Sequence, residues 1–325
     1  MRWYLLPLLL AGLLPGLLTG GCAINAAFAA DEVVSAKSAP CQGTPDAVTA
    51  TFHSRRNRVL AAMGSPRHRG VDLIASEGDE NQTLGGKLAY TAVDKDLQGE
   101  DVEVFACRAG AWRSVGLTRS NDDGRFTLEL QGTHRLPVGL TELYAHVRGD
   151  GSGVRFVGFV AAAGEGVLVT DIDGTITSSE NAIFKTVLLR RDIGHQRGAP
   201  QAYAQSGRTV VYVTARGDQY TEVTRRWLRD HGFPPGPLRL ARAPITIPGG
   251  STVAFKTEVL RNLGVPVVAG VGNRASDVVA YRNAGLAPHQ IFINLPEFTS
   301  ELRAELGARN ATGFDHYADL AALLP

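Results

Sequence analysis

The chain has 325 residues, 44% of them hydrophobic and 20% charged, and 33 basic residues are balanced by 32 acidic ones to a net charge of +1. That length accommodates two domains, or one domain with an export segment and an appendage. The even balance excludes a bulk electrostatic grip on nucleic acid, which needs a concentrated basic surface.

Residues 1–29 read as an export signal. Arg2 gives a positive start, and Leu5 to Leu18 is apolar, broken only by Gly and Pro. This run is too short for a membrane span and fits a secretory core. Two exits fit. "LLTGGC" places Cys22 behind the apolar run in the manner of a bacterial lipoprotein site, although Thr19 stands where a larger aliphatic residue is usual. "AFA", Ala27 to Ala29, fits a signal-peptidase cut and a soluble product. Either exit implies a periplasmic or cell-envelope location, lipid-anchored in the first case. In that setting Cys41 and Cys107 either form a disulfide or are two unrelated small residues. No cysteine has metal-ligand spacing.

Residues 30–85 read as a linker with one short helix. "TFHSRRNRVLAAMGSPRHRG" concentrates Arg55, Arg56, Arg58, Arg67, His68 and Arg69. The plain interpretation is a solvated segment; the functional one is attraction to an anionic membrane surface. Residues 86–163 carry short β-branched and aromatic runs, such as "DVEVFAC", "RFTLEL" and "VRFVGFV", separated by turn signals such as "NDDG" and "GDGSG". Six strands at this spacing predict a small all-β sandwich of immunoglobulin-like or transthyretin-like type.

Residues 164–325 alternate strand and helix. Strands are expected at 167–172, 208–214, 265–272 and 290–295, with helices such as "DQYTEVTRRWLRDHG" and "ASDVVAYRNAG" between them, each ending at glycine. The alternation predicts an α/β fold: a doubly wound parallel sheet covered on both faces.

Ligands of open parallel sheets bind beyond the carboxyl ends of the strands, and the polar residues gather there. The first strand delivers Asp171 and Asp173, the second Thr214 and Arg216, and the third Gly272, Asn273 and Asp277; Lys256 starts the helix before that third strand. Three carboxylates in one pocket repel and invite a hard cation. Lys256 and Thr214 supply donors for phosphate oxygens. Gly174 lets backbone N–H groups approach an anion. Together these are the parts of Mg2+-assisted phosphoryl transfer. Arg216 and Arg274 are expected to pair with surface acids, and His195, His231 and His289 receive no role.

"DIDGT" resembles the nucleophile loop of haloacid dehalogenase-type phosphohydrolases. "TDIDGTIT", "VTARG", "FPPGPLRL", "AFKTEVL" and "GNRASDVVAYRNAG", in that order over residues 165–297, resemble the lipins, magnesium-dependent phosphatidate phosphatases. The resemblance implies Asp171 as nucleophile, Asp173 as general acid and base, and Thr214 and Lys256 as further catalytic residues. It also implies Gly174, Thr175, Thr214 and Lys256 as phosphate contacts, and Asp171, Asp173, Asp277 and Asn273 around Mg2+. The short gaps 177–208 and 217–256 leave room for little or no cap, which suits a headgroup presented at a membrane. The expectation is therefore an enzyme that hydrolyses phosphatidate to diacylglycerol and phosphate through an aspartyl-phosphate. The alternatives are action on another phosphate ester, such as a nucleotide, sugar or inositol phosphate, or a phosphatidate-binding module without turnover. Domains related to lipins in lipid-transfer proteins bind phosphatidate but lack the Asp pair, which is present here. The sequence indicates no protein partner.

Overall fold

The computed structural model describes residues 40–178, 193–242, 250–296 and 299–325. The expected export segment, with Cys22 and Ala29, lies outside them. Ser38–Pro325 forms one compact unit.

Helix α1 (Arg55–Met63) starts at Ser54, whose hydroxyl accepts from the Arg56 N–H at 3.1 Å. It turns Asn57 and Leu60 inward. Ten strands follow: β1 (Arg69–Val71), β2 (Leu73–Ser76), β3 (Gln82–Lys87), β4 (Ala89–Tyr90), β5 (Lys95–Asp96), β6 (Asp101–Arg108), β7 (Ala111–Arg119), β8 (Arg125–Leu130), β9 (Gly139–Val147) and β10 (Gly153–Ala161). They build a five-stranded sheet, β2-β10-β9-β6-β7, and a three-stranded one, β1-β3-β8, with β4 and β5 as a separate ribbon. Alternate residues such as Val102, Val104 and Ala106, with Phe126, Leu130 and Phe156, fill the core between the sheets. Cys41 and Cys107 form a disulfide, with Cα atoms 5.7 Å apart.

The sandwich thus begins at Arg69, not at residue 86. Of its first strands, β1 and β3 were illegible because they carry glycine, which ordinarily weakens a strand. Here glycine is needed for close approach. A Cβ on Gly70 would lie 2.2 Å from the Phe156 ring, and one on Gly86 would lie 2.5 Å from Phe126 and 2.6 Å from the Arg69 carbonyl.

The second half holds β11 (Val167–Asp171), α2 (Ala199–Gln205), β12 (Val210–Gly217), α3 (Thr221–Asp230), β13 (Leu238–Ala241), α4 (Gly250–Arg261), β14 (Val267–Gly272), α5 (Ala275–Asn283), β15 (Ile291–Asn294), α6 (Thr299–Gly307), β16 (Thr312–Phe314) and α7 (Tyr317–Leu323). All six strands are parallel, in the order β13-β12-β11-β14-β15-β16. The expected parallel sheet is therefore present, with two short edge strands, β13 and β16, added. Side chains alternate between its faces: Leu168, Val210 and Tyr212 pack with α2, α3 and α7, whereas Val167, Val169, Val211 and Val213 pack with α4 and α5. The cap expectation falls partly on residues 179–192 and 243–249, which lie outside the described residues.

The two halves share a core. Phe159 and Ala161 of β10 bury in the same cluster as Val167 and Val169 of β11. Beside it, the fully buried Asp72 carboxylate accepts from the Val157 and Leu238 N–H groups and from the Arg225 guanidinium, at 2.7–3.0 Å. Its carbonyl accepts from Arg239.

Candidate functional site

Strand β11 lies at the centre of the sheet, and the chain connects outward from it on both sides, to β12 and to β14. Such a switch point opens a crevice beyond the strand ends. Asp171, the last residue of β11, stands at that edge and is buried. Its Oδ1 accepts from Lys256 Nζ at 2.6 Å and its Oδ2 from Thr175 Oγ1 at 2.8 Å. Burial pushes the Asp171 carboxyl up to about 7, against the pull of Lys256 and with the charges of Asp277 and Asp173 adding to the rise.

Lys256 also donates to Asp277 Oδ1 at 2.6 Å. Burial works to lower its pKa, and the two carboxylates override that, so the ammonium is held charged more firmly than an ordinary lysine. The Lys256 ammonium thus bridges Asp171 and Asp277. Asp277 spends its other oxygen on the N–H groups of Asn273 and Arg274, at 3.0 and 3.1 Å, closing the first turn of α5. Gly272 makes that fold-back possible: a Cβ there would sit 2.5 Å from Asp277.

Asp173 faces the other way. Arg216 grips it through Nε and Nη2, the latter at 2.6 Å, and Thr214 Oγ1 donates to it at 2.9 Å. Arg216 also donates to Thr224 at 3.0 Å. The expectation that Arg216 pairs with a surface acid is corrected: its partner is the second aspartate of the motif, and the arginine side chain is buried. "VTARG" carried the signal, but a pairing across 43 residues is set by strand order alone. Arg274 does pair with a surface acid, Glu301.

Gly174 takes φ +75°, a left-handed conformation suited to glycine, as the chain turns past the strand end. Below it, Tyr317 donates to the Thr175 carbonyl at 2.6 Å, and the Tyr203 and Thr170 hydroxyls lie 2.7 Å apart. Thr175 Oγ1 lies 2.9 Å from Asn273 Oδ1. The structure thus brings together Asp171, Lys256, Asp277, Thr175 and Asn273 on one side, and Asp173, Thr214 and Arg216 on the other.

Two donors remain available. Lys256 makes two hydrogen bonds of a possible three. Asn273 Nδ2 is buried with no partner, which in an otherwise satisfied cluster calls for an acceptor or for the amide turned end for end. Turned, the amide would present its oxygen there and give its N–H to Thr175. Oxygen donors alone, with three carboxylates against the charges of Lys256 and Arg216, suit Mg2+ in kind. Among the described residues, however, no three carboxylate or imidazole groups converge on one point.

Two models of one family match consecutive segments of the chain. The family described as PITM 1-3, LNS2 domain, matches residues 168–294, and PITM 1-3, beta-sandwich domain, matches residues 66–160. The chain is similar to the human membrane-associated phosphatidylinositol transfer protein 1, 28% identical over 249 residues, 74% of this chain and 19% of that protein. It is equally similar to the Drosophila melanogaster protein retinal degeneration B, 28% identical over 246 residues, with the same coverage. The chain thus spans about a fifth of the length of these relatives. A solved structure, a putative beta-phosphoglucomutase from Thermotoga maritima, aligns with 49% of this chain and 98% of its own at 13% identity and a TM-score of 0.36.

These matches overturn the lipin-like reading. Both halves, including the sandwich that the lipin resemblance left unexplained, match PITM 1-3 models in order. The human relative is named for phosphatidylinositol transfer rather than for hydrolysis. The expected phosphatidate phosphatase, and the enzyme class with it, is withdrawn. The five motifs alone could not separate a hydrolase from a lipid binder.

Proposed function

We propose that this chain is a non-catalytic module that binds the phosphorylated headgroup of a membrane phospholipid, phosphatidate among them, at the carboxyl edge of the parallel sheet. The observation that carries the reading is the state of the two aspartates. Asp171 is tied by Lys256 and Thr175, and Asp173 by Arg216 and Thr214, while the third N–H of Lys256 and the amide of Asn273 are the donors left over. A phosphate oxygen satisfies both donors, and charge-assisted bonds from a buried ammonium are the strong kind. We read the sheet as a haloacid dehalogenase-like framework used here for recognition.

An anion must enter a pocket whose three carboxylates outnumber its two cations. A proton on Asp171, whose pKa lies near neutrality, restores the balance. Mg2+ is the other candidate; Asp171, Asp173 and Asn273 would hold it, and it would supply positive charge beside the phosphate. Export also belongs to this proposal. The apolar leader supports it, as does the Cys41–Cys107 disulfide, a bond favoured in oxidising compartments. The mass of the mature N-terminus separates a lipid on Cys22 from a cut near Ala29.

Calorimetry with a soluble short-chain phosphatidate, with and without Mg2+, tests the binding reading, with phosphate release followed in parallel. Saturable binding without release is expected, and Asp171→Asn, which removes charge but keeps shape, should retain it. Sustained phosphate release by the wild type, abolished in Asp171→Asn, would sink the non-catalytic assignment.

A further inference from the structure

The basic segment 55–69 is not a linker. It folds into α1 and β1 and leaves an amphipathic face uncovered. Asn57 and Leu60 hold α1 to the sandwich, and the Asn57 amide donates to the Gln98 carbonyl at 2.7 Å. The opposite face shows Val59 and Met63, one turn apart and 51% and 73% exposed. Val93 joins them at the tip of the β4–β5 ribbon, also 73% exposed. The ribbon tip reaches the end of α1: the Thr91 N–H donates to the Ser65 carbonyl at 3.1 Å, and Gly64 meets Thr91 so closely that a Cβ would lie 2.9 Å away. Thr91 and Asp94 both hold positive φ, 68° and 57°, to make this turn. That conformation is costly for a β-branched residue, and such strain persists only where the surroundings impose it.

The unpaired charges carried by α1, the turn after it and the β4–β5 ribbon are of one sign. Arg55, Arg58, Arg67 and Lys95 are exposed, and none is in an ion pair among the described residues. The acids of the ribbon are already in ion pairs, Asp94 with Arg69 and Lys87 and Asp96 with Lys87, and Glu100 is buried. An exposed apolar cluster ringed by unmatched cations is complementary to an anionic bilayer, whose surface attracts each basic residue and whose interface accepts the apolar tips.

The patch is wired to the headgroup pocket. The Arg69 guanidinium holds Asp94, next to Val93, with two bonds of 2.7 Å, and reaches Asp218 at 3.0 Å. Asp218 lies two residues beyond Arg216, the clamp on Asp173. We propose that Val59, Met63 and Val93, with Arg55, Arg58, Arg67 and Lys95, form a docking surface that seats this chain on an anionic phospholipid bilayer and brings the strand-end pocket to its headgroups. The purpose of the surface rests on the headgroup reading; its existence does not.

Val93→Trp in the full chain reads contact at that position whatever the leader does. With vesicles of phosphatidylcholine and phosphatidylserine containing brominated lipid, the new tryptophan should be quenched. Val138→Trp, an exposed site outside the patch, should not be. Adding Arg55→Gln, Arg58→Gln and Arg67→Gln should weaken the apparent affinity read by Val93→Trp by about fivefold per residue. Quenching at Val93 no greater than at Val138, or insensitive to the three arginines, would overturn the proposal. So would an emission shift that follows protein concentration without vesicles, which would assign the face to a second copy of the chain. Short-chain phosphatidate separates the two readings. If it fails to bind while Val93→Trp is still quenched, the pocket reading falls and the docking surface stands.

Discussion

Two buried carboxylates sit in contrasting surroundings. Asp72, at the seam between the sandwich and the parallel sheet, accepts four hydrogen bonds from two backbone N–H groups and one guanidinium. Asp171, at the end of β11, accepts two, from an ammonium and a hydroxyl, in a cluster that still holds an unpartnered amide. The first is a closed joint, satisfied from elements that the fold brings together. The second has one donor on each oxygen, lies in a cluster whose own donors are not all used, and has a pKa displaced by burial to about 7. A buried charge that is fully matched reads as architecture, and one left partly matched reads as a place for a ligand.

Removing the closed joint should cost most. Asp72→Ala strands the buried Arg225 and two backbone donors, so thermal or urea unfolding should show a loss of roughly 3–5 kcal/mol. The Lys256→Met change attacks the open cluster and should cost less, about 3 kcal/mol, because the stranded Asp171 can take up a proton, whereas the Arg225 guanidinium stranded by Asp72→Ala cannot shed one. Short-chain phosphatidate binding should vanish in this variant while the seam stays intact. If Lys256→Met destabilises as much as Asp72→Ala, the contrast between joint and pocket is lost.

The sandwich offers a pH-dependent counterpart. His68 is buried, with Nδ1 accepting from the Ala89 N–H at 3.2 Å and Nε2 placed 2.8 Å from Ser152 Oγ. Burial lowers its pKa to about 4. Between pH 6.5 and about 4 the unfolded imidazole takes a proton that the folded one refuses, so stability falls as pH drops through that window. The loss should approach roughly 3 kcal/mol at about 1.4 kcal/mol per unit, and His68→Gln should flatten that part of the stability curve. Asp171 acts in the opposite sense: its pKa is raised in the fold, so its contribution is lost as pH rises from about 4 towards 7. The smallest effect should come from Asn273→Ala, which removes one donor from the pocket; headgroup affinity should fall by about 1 kcal/mol, or several-fold, in calorimetry.

Parts of this were legible along the chain. The run from Val167 into Asp171 announced a buried strand delivering carboxylates, and the set Asp171, Asp173, Thr214, Lys256, Asn273 and Asp277 does gather at one sheet edge. The sandwich strands β1 and β3 were not legible, because Gly70, Gly85 and Gly86 answer to rings and carbonyls remote in sequence. The role of Arg216 was hidden for a related reason: a guanidinium shows its partner only once β12 lies beside β11. The enzymatic reading failed differently. The motifs were present and in order, but a carboxylate pair is the same in sequence whether it attacks phosphorus or is held in ion pairs.

What the sequence determined by itself is periodicity and type: where strands and helices run, which half is all-β and which alternates, and which chemically capable residues stand at strand ends. What only the tertiary structure decided is pairing. It chose Lys256 as the cation between Asp171 and Asp277, Arg216 as the partner of Asp173, Asp72 as the pin between the two halves, and α1 with the 91–94 turn as an uncovered face. Periodicity is local, set by the geometry of neighbouring residues. Electrostatic matching depends on distances of about 3 Å between side chains far apart in the chain, and only folding brings those within reach.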